Sequence, residues 1–180
     1  MPDLKGSKTE KNLHEAFMGE SMAYTKYTFF AGKAKRDGYE QIAGIFQETA
    51  GNEKEHAKIW YKLLSGGDLP STSDNLASAA KGENEEWTEM YKRMAREAKE
   101  EGFNHIAYLF ENVGKIEKDH EERYLKLLDN VKSNQVFSKQ EKSVWICRNC
   151  GHLVDAASSP KECPICIHPQ SYFELRTINY

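Results

Sequence analysis

The sequence contains no apolar run long enough to cross a membrane and no excess of basic charge. Of its 180 residues, 39% are hydrophobic. No segment approaches the roughly 20 consecutive apolar residues that span a bilayer. The formal net charge of −3 gives no electrostatic reason to expect a nucleic acid or an anionic membrane as partner. Because the first residues also lack the apolar stretch of a signal peptide, we expect a cytoplasmic protein.

Cysteine is absent before position 147, and all four cysteines lie between positions 147 and 166. They form two CxxC pairs, Cys147–Cys150 and Cys163–Cys166, with twelve residues between the pairs. This spacing is typical of a tetrahedral thiolate site, and by itself it does not distinguish a redox iron from a structural zinc. A zinc-bound interaction ribbon therefore stays open as one alternative for this segment.

The part of the chain before the cysteines shows the periodicity of amphipathic helices. We predict helices over about 8–36 and 39–65, a third marked by Trp87 to Ala98, and a fourth that ends near 132. Residues 66–81 are predicted to be a polar crossover with a short helical piece at 76–80. The expected domains are a helical bundle over 1–135, a linker over 136–143 and a small metal-binding β module over 144–180.

The helical part is an internal duplication, in which corresponding positions are related by an offset of 64. Asp37-Gly38-Tyr39 corresponds to Glu101-Gly102-Phe103, and Ile42 and Phe46 correspond to Ile106 and Phe110. Two helical hairpins joined by one longer connection predict a four-helix bundle with one crossover, which is the ferritin-like arrangement. The hairpins are expected to pair within one chain or to swap between two.

Each half of the duplication contains the motif ExxH, as Glu53–His56 and as Glu117–His120. Residues three apart share one face of a helix, so each pair can chelate a metal ion. A single ExxH in a charged helix is usually part of a solvated face, but two copies at corresponding positions indicate a metal site. Several buried carboxylates would repel one another unless cations were bound between them.

The other two helices are expected to add carboxylates. Glu20 precedes Glu53 by a spacing of 33, and Glu83 precedes Glu117 by a spacing of 34. Glu86 is in helical phase with Met90, so it is also predicted to face inward. It is one acid more than the duplication requires, since each half needs only one carboxylate from this helix. Mixed oxygen and imidazole ligands suit iron or manganese better than a structural zinc. The predicted ligands are Glu20, Glu53, His56, Glu83, Glu86, Glu117 and His120.

Tyr27 and Tyr91 are also related by the offset of 64 and lie close in sequence to the predicted ligands. Two roles are open for them. They are either packing residues of the core or hydroxyl donors to a ligand or to a bound substrate.

The motifs together resemble the rubrerythrin family across nearly the whole chain. The resemblance rests on the run from Lys5-Gly6-Ser7 to Gly19-Glu20-Ser21, on the two ExxH hairpins and on the cysteine segment from Trp145 to Pro169. It implies a non-haem diiron site held by the seven ligands and an iron bound by Cys147, Cys150, Cys163 and Cys166. Glu86 then resembles the acid that joins the first iron on oxidation in place of His56.

The resemblance also implies an activity, the two-electron reduction of hydrogen peroxide to water in oxidative-stress defence. It implies a homodimer or higher assembly in which the thiolate iron of one subunit lies near the diiron site of the other. No GxGxxG motif follows a predicted strand, so electrons are expected from an external reductase, NADH-linked, or from a rubredoxin. The alternative function is that of a ferroxidase or iron-handling ferritin-like protein.

One residue departs from the rubredoxin pattern. Glycine usually follows each CxxC pair, where the chain often needs a positive φ. Gly151 fits this pattern, but Ile167 does not, and we expect a strained backbone at Ile167.

Overall fold

The computed structural model describes residues 3–179, which form two compact units that meet in sequence at Pro70 and Ser71. The first unit contains the antiparallel helices α1 (Lys8–Arg36) and α2 (Glu40–Leu64). The second contains α3 (Thr72–Glu85), a π-helical turn (Glu86–Met90), α4 (Tyr91–Glu100) and α5 (Asn104–Lys132), followed by a small β module. We call α1 and α2 the first hairpin, and α3 to α5 with the π turn the second hairpin. In the described part of the chain, no helix is both long and apolar enough to cross a membrane.

The helices begin and end where local chemistry predicts, with one exception. Gly38 and Gly102 adopt φ values of 85° and 86° directly after α1 and α4, as expected for glycine beyond a helix end. The third helix, however, begins at Thr72, before the predicted end of the crossover at 81, so most of the predicted crossover is helical. The Ser71 hydroxyl caps this helix by accepting from the amide of Asp74 at 3.1 Å, an N-cap pattern that the sequence does contain.

Buried alanines lie at corresponding positions in the two hairpins. Ala31, Ala34 and Ala43 are buried in the first hairpin. Their counterparts at the offset of 64, Ala95, Ala98 and Ala107, are buried in the second. Small side chains let antiparallel helices approach closely. The large apolar side chains of Ile42, Ile45, Leu63, Ile106, Leu109 and Leu127 are exposed on their own hairpins.

The β module is a three-stranded antiparallel sheet of order β2-β1-β3. Its strands are β1 (Ser138–Cys147), β2 (Leu153–Ser158) and β3 (Phe173–Leu175), so residues 138–143 of the predicted linker belong to a strand. Trp145 and Phe173 form the core together with Cys147 and Cys163. The Trp145 indole donates to the carbonyl of Ala156 at 2.9 Å. The domain boundaries themselves stay a prediction.

The sequence also leads us to expect Tyr172 and Tyr180 in this core, and Tyr172 is not part of it. Tyr172 is 40% exposed and packs its ring edge-on against His168, with ring centroids 4.4 Å apart. Tyr180 lies outside the described residues.

The backbone at Ile167 is strained, as the sequence predicts. Its φ is 59°, matching the 77° of Gly151 at the same place in the other CxxC turn. In both turns the residue after the second cysteine donates its amide to the carbonyl of the first cysteine, at 2.8 Å for Gly151 and 3.0 Å for Ile167. The two turns therefore have the same hydrogen bond, and a β-branched residue holds a conformation that favours glycine.

Replacing Gly114 should separate α4 from α5. A Cβ at Gly114 would lie 3.2 Å from the Cβ of Tyr91, and neither atom is the end of a flexible side chain. We expect Gly114→Val to lower the free energy of unfolding by about 1–3 kcal/mol, the usual cost of overpacking. Urea unfolding followed by circular dichroism measures this change. Gly51→Val is the matched control, because nothing lies within 4 Å of a Cβ there. Equal effects of the two substitutions would contradict the prediction.

Replacing Ile167 with glycine should stabilise the β module. Relief of the left-handed strain should raise the free energy of unfolding by about 1 kcal/mol after the entropy cost of glycine is subtracted. The urea midpoint for loss of the thiolate absorption of the iron-loaded module measures this effect. Ile165→Gly is the control, because Ile165 is similarly exposed but does not have a positive φ. If both variants lower the urea midpoint, the backbone conformation of Ile167 does not destabilise the module.

Candidate metal centres

Each hairpin brings two carboxylates and one imidazole to a common point. In each set, one ligand atom per residue lies within 4.8 Å of the others. We call Glu20, Glu53 and His56 the first ligand group, and Glu83, Glu117 and His120 the second ligand group.

The two ligand groups have nearly the same geometry. His56 Nδ1 lies 2.9 Å from Glu53 Oε2 and 3.8 Å from Glu20 Oε1. In the second group, His120 Nδ1 lies 2.8 Å from Glu117 Oε2 and 3.7 Å from Glu83 Oε1. Ligands about 2.1 Å from a metal ion on adjacent corners of an octahedron are about 3.0 Å apart, so these donors fit a single ion.

A π turn explains how Glu83 reaches this position. Glu20 precedes Tyr27 by seven residues, whereas Glu83 precedes Tyr91 by eight. The extra residue is absorbed where the amide of Tyr91 donates to the carbonyl of Glu86, five residues back. Glu83 and Tyr91 can therefore hold positions corresponding to Glu20 and Tyr27 although their spacing differs.

The same turn determines the place of Glu86. Its side chain is half-buried and is not part of the second ligand group, although its charge acts on both Glu83 and Tyr91. Glu85 and Glu89 on either side are exposed, in agreement with their assignment to solvent. Regular helical phase could not predict the π turn. The difference of one between the spacings of 33 and 34 is the signal that indicates it.

Burial and neighbouring acids affect the protonation of Glu83 and Tyr91. Burial raises the pKa of Glu83, and the negative charge of Glu117 raises it further. Burial also raises the pKa of Tyr91, with added contributions from Glu86, Glu117 and Glu83. The phenol therefore stays a neutral O–H donor, while the carboxylates form a concentration of negative charge that a cation would stabilise.

Tyr27 and Tyr91 have matching neighbours. The Tyr27 ring lies 6.2 Å from that of Phe46 at 40°, and the Tyr91 ring lies 6.0 Å from that of Phe110 at 39°. Both rings are half-buried, so packing accounts for part of their role. The negative charges of three acids act on the Tyr91 phenol, so a hydrogen-bonding role is favoured as well.

The four cysteine sulfurs also converge, with each Sγ within 4.8 Å of the others. The Cys147–Cys166 and Cys150–Cys163 sulfurs are 3.7 Å and 3.6 Å apart. Metal–sulfur bonds of about 2.3 Å in a tetrahedron place sulfurs about 3.8 Å apart, so the set fits one tetrahedral ion.

Backbone amides favour the thiolate form in both CxxC turns. A hydrogen bond from the His168 amide lowers the pKa of Cys166 to about 6. The His152 amide acts on Cys150 in the same direction, but burial and the other three thiols together raise the pKa of Cys150. Four sulfurs this close can all be thiolates only if a cation lies among them, and a bound metal ion would be that cation.

Comparisons with known proteins agree with both kinds of centre. The sequence profile of the Rubrerythrin family matches residues 11–128, and the profile described as the rubredoxin-like domain of rubrerythrin matches residues 145–174. A rubrerythrin of Porphyromonas gingivalis is 52% identical over 98% of this chain and 94% of its own length. Rubrerythrin-1 of Clostridium acetobutylicum and the rubrerythrin of Nitratidesulfovibrio vulgaris are 46% and 45% identical, each over the full length of both chains.

Helical carboxylate–histidine ligand groups come first along the chain and a four-cysteine module follows them, in the order in which the two profiles match. The chain therefore belongs to the rubrerythrin family, whose members combine a ferritin-like helical domain with a rubredoxin-like module and bind iron in both.

Proposed function

We propose that this protein is a diiron peroxidase that reduces hydrogen peroxide to water in defence against oxidative stress. The family is one of oxidoreductases. The observation that carries the proposal is the pair of matching ligand groups, each with two carboxylates and one imidazole around a single point. Such mixed oxygen and nitrogen ligands suit iron that changes its oxidation state.

The proposed diiron site combines both ligand groups with the additional acid of the π turn. Glu53 and Glu117, each one helical turn before its histidine, would hold the metal pair, and each has a second carboxylate oxygen available as a further ligand atom. Glu86 would be the spare carboxylate, available to take the place of His56 as a ligand. The proposed ligands are Glu20, Glu53, His56, Glu83, Glu86, Glu117 and His120.

Reduction of one peroxide to two waters consumes two electrons and two protons. The diiron pair, when bound, supplies the two electrons. The side chains around it supply and hold protons. The pKa of Glu83 is raised, so its carboxylate can take up and hold a proton. The Tyr91 phenol stays protonated and can donate a hydrogen bond to an oxygen of the substrate, and Tyr27 holds the corresponding position in the first hairpin.

The four-cysteine module is proposed to return electrons one at a time. Its four thiolates would hold a single iron. The backbone amides of His152 and His168 donate to Cys150 and Cys166, and these bonds stabilise the charge on sulfur. Cys147 and Cys163 are buried, whereas Cys150 is exposed, so electrons can enter or leave on the side of Cys150.

The electrons are proposed to come from outside the chain, from an NADH-linked reductase or a rubredoxin, in the cytoplasm. We further propose a homodimer or a higher assembly, in which the thiolate iron of one subunit serves the diiron site of the other.

Peroxide should oxidise the reduced, iron-loaded protein rapidly. We expect Glu117→Gln to slow this reaction at least about tenfold, because it removes the charge of a proposed ligand. Replacing even a hydrogen-bond partner of a metal ligand typically lowers activity by about 10–100-fold. Stopped-flow absorption after mixing with a stoichiometric amount of hydrogen peroxide measures the rate.

The control for this experiment is Glu89→Gln, because Glu89 is an exposed acid in the nearby π turn and belongs to neither ligand group. Its rate should match that of the unaltered protein. Absence of any peroxide-dependent oxidation in the unaltered protein, with iron in all sites, would overturn the proposed function.

A ferroxidase or iron store is the alternative, because the same ligand groups would also bind ferrous iron as a substrate. A store has no need of a rubredoxin-like module, which this chain has. Iron loading separates the two functions. We expect about three iron ions per chain after anaerobic loading and desalting, two on carboxylate and histidine ligands and one on cysteine. A much larger number after aerobic loading would favour storage.

A further inference from the structure

Each ligand group is complete within its own hairpin. The first uses only residues of α1 and α2, and the second only residues of α3 and α5. Two carboxylates and one imidazole are enough to chelate a divalent ion, with water in the remaining coordination positions. One ion can therefore bind to one hairpin before the other hairpin holds any.

The two hairpins differ in how firmly their ligands are held. In the second hairpin, the carboxylate of Glu121 accepts hydrogen bonds from Asn84 Nδ2 at 3.0 Å and from Trp87 Nε1 at 2.5 Å. Asn84 directly follows Glu83, and Glu121 directly follows His120. These bonds therefore tie together the two helical turns that carry the second ligand group.

The first hairpin cannot form this bridge. At the offset of 64, Glu121 corresponds to Ala57. Trp87 lies in the π turn, where the offset changes from 63 to 64, so its counterpart is Ala23 or Tyr24. Alanine has no side-chain donor or acceptor, so Ala57 cannot take the place of Glu121. Near their ligands, α1 and α2 are joined by apolar and aromatic contacts, with Ala57 buried and the rings of Phe17 and Tyr61 5.4 Å apart.

The second ligand group is also less exposed and richer in acid. The side chains of Glu117 and His120 are 15% and 34% exposed, against 18% and 50% for Glu53 and His56. Glu86 adds a further negative charge beside Glu83. A cation is bound more strongly where more carboxylates surround it and where less water screens their charge.

From these differences we propose that metal is loaded in order. The second hairpin binds the first divalent ion tightly and by itself, and the first hairpin binds the second ion more weakly. Glu121 acts as a positioning residue for the tight site. The inference deepens the proposed function, since it rests on both ligand groups being metal sites. One consequence is that pairs of two different metals can be assembled by the order of addition.

Cobalt titration of the full chain tests the order. The thiolate site is first filled with one equivalent of zinc, and Co²⁺ is then followed by its visible absorption. Thiolate-to-cobalt bands would reveal any exchange at the cysteines. The double variant Glu53→Gln/His56→Ala should keep one Co²⁺ at the tight affinity of the unaltered protein. Glu117→Gln/His120→Ala should keep one Co²⁺ bound at least about tenfold more weakly.

Glu121→Ala gives the second hairpin the residue that the first has at this position. We expect it to weaken the tight site about tenfold, the lower end of the range for partners of metal ligands, and to leave the weaker site unchanged. Glu122→Ala is the matched control, since it changes the next acid in sequence, which is exposed. Circular dichroism of each variant checks that the helices are retained.

Equal cobalt affinities in the two double variants, or loss of all binding in either one, would overturn the proposed order. Failure of the order is distinguishable from failure of the function. If loading is cooperative but peroxide still oxidises the iron protein, only this inference fails. If loading is ordered but peroxide has no effect, the peroxidase function fails and the inference stands.

Discussion

Mutual repulsion of carboxylates is the constraint on which the helical part of this protein depends. Two acids reach within a few ångströms of each other in each hairpin because small residues let the helices approach closely. Ala50 and Ala57 flank Glu53 at helical spacing, and Gly114 precedes Glu117 by three residues. The close approach that concentrates the charge therefore also makes a bound cation favourable, since unpaired carboxylates away from water are costly.

A single inserted residue makes the duplicated halves chemically unequal. Without the π turn, Glu83 would turn away from the position that corresponds to Glu20, because eight residues exceed the roughly 7.2 residues of two α-helical turns. The π turn corrects the phase of Glu83 and also brings Glu86 beside it. The inserted residue therefore leaves the three ligands of the second hairpin matched to those of the first, and it adds one acid. The result is a second hairpin with more negative charge than the first.

Hydrophobic period and repeated motifs predicted α1, α2 and α5 and brought together the residues of both ligand groups. The predicted start of α3 was wrong because Leu76 is the one large apolar residue between Thr72 and Glu85, so no repeated apolar period marks a buried face. The place of Glu86 could not follow from phase, because phase assumes a regular helix. The φ of Ile167 was predictable, since the two CxxC turns repeat one hydrogen-bond pattern and Gly151 shows which conformation that pattern requires.

The two kinds of metal ligand are held in ways that suit the different redox tasks proposed for them. The cysteines lie on short turns whose backbone amides are fixed by hydrogen bonds, and Cys147 and Cys163 are buried against Trp145 and Phe173. Such a frame resists change when one electron arrives, so little energy is lost to rearrangement. The glutamates project on long side chains that can exchange one oxygen for another without moving a helix. A centre that changes its charge by two needs ligands that adapt, and a centre that relays single electrons needs ligands that do not.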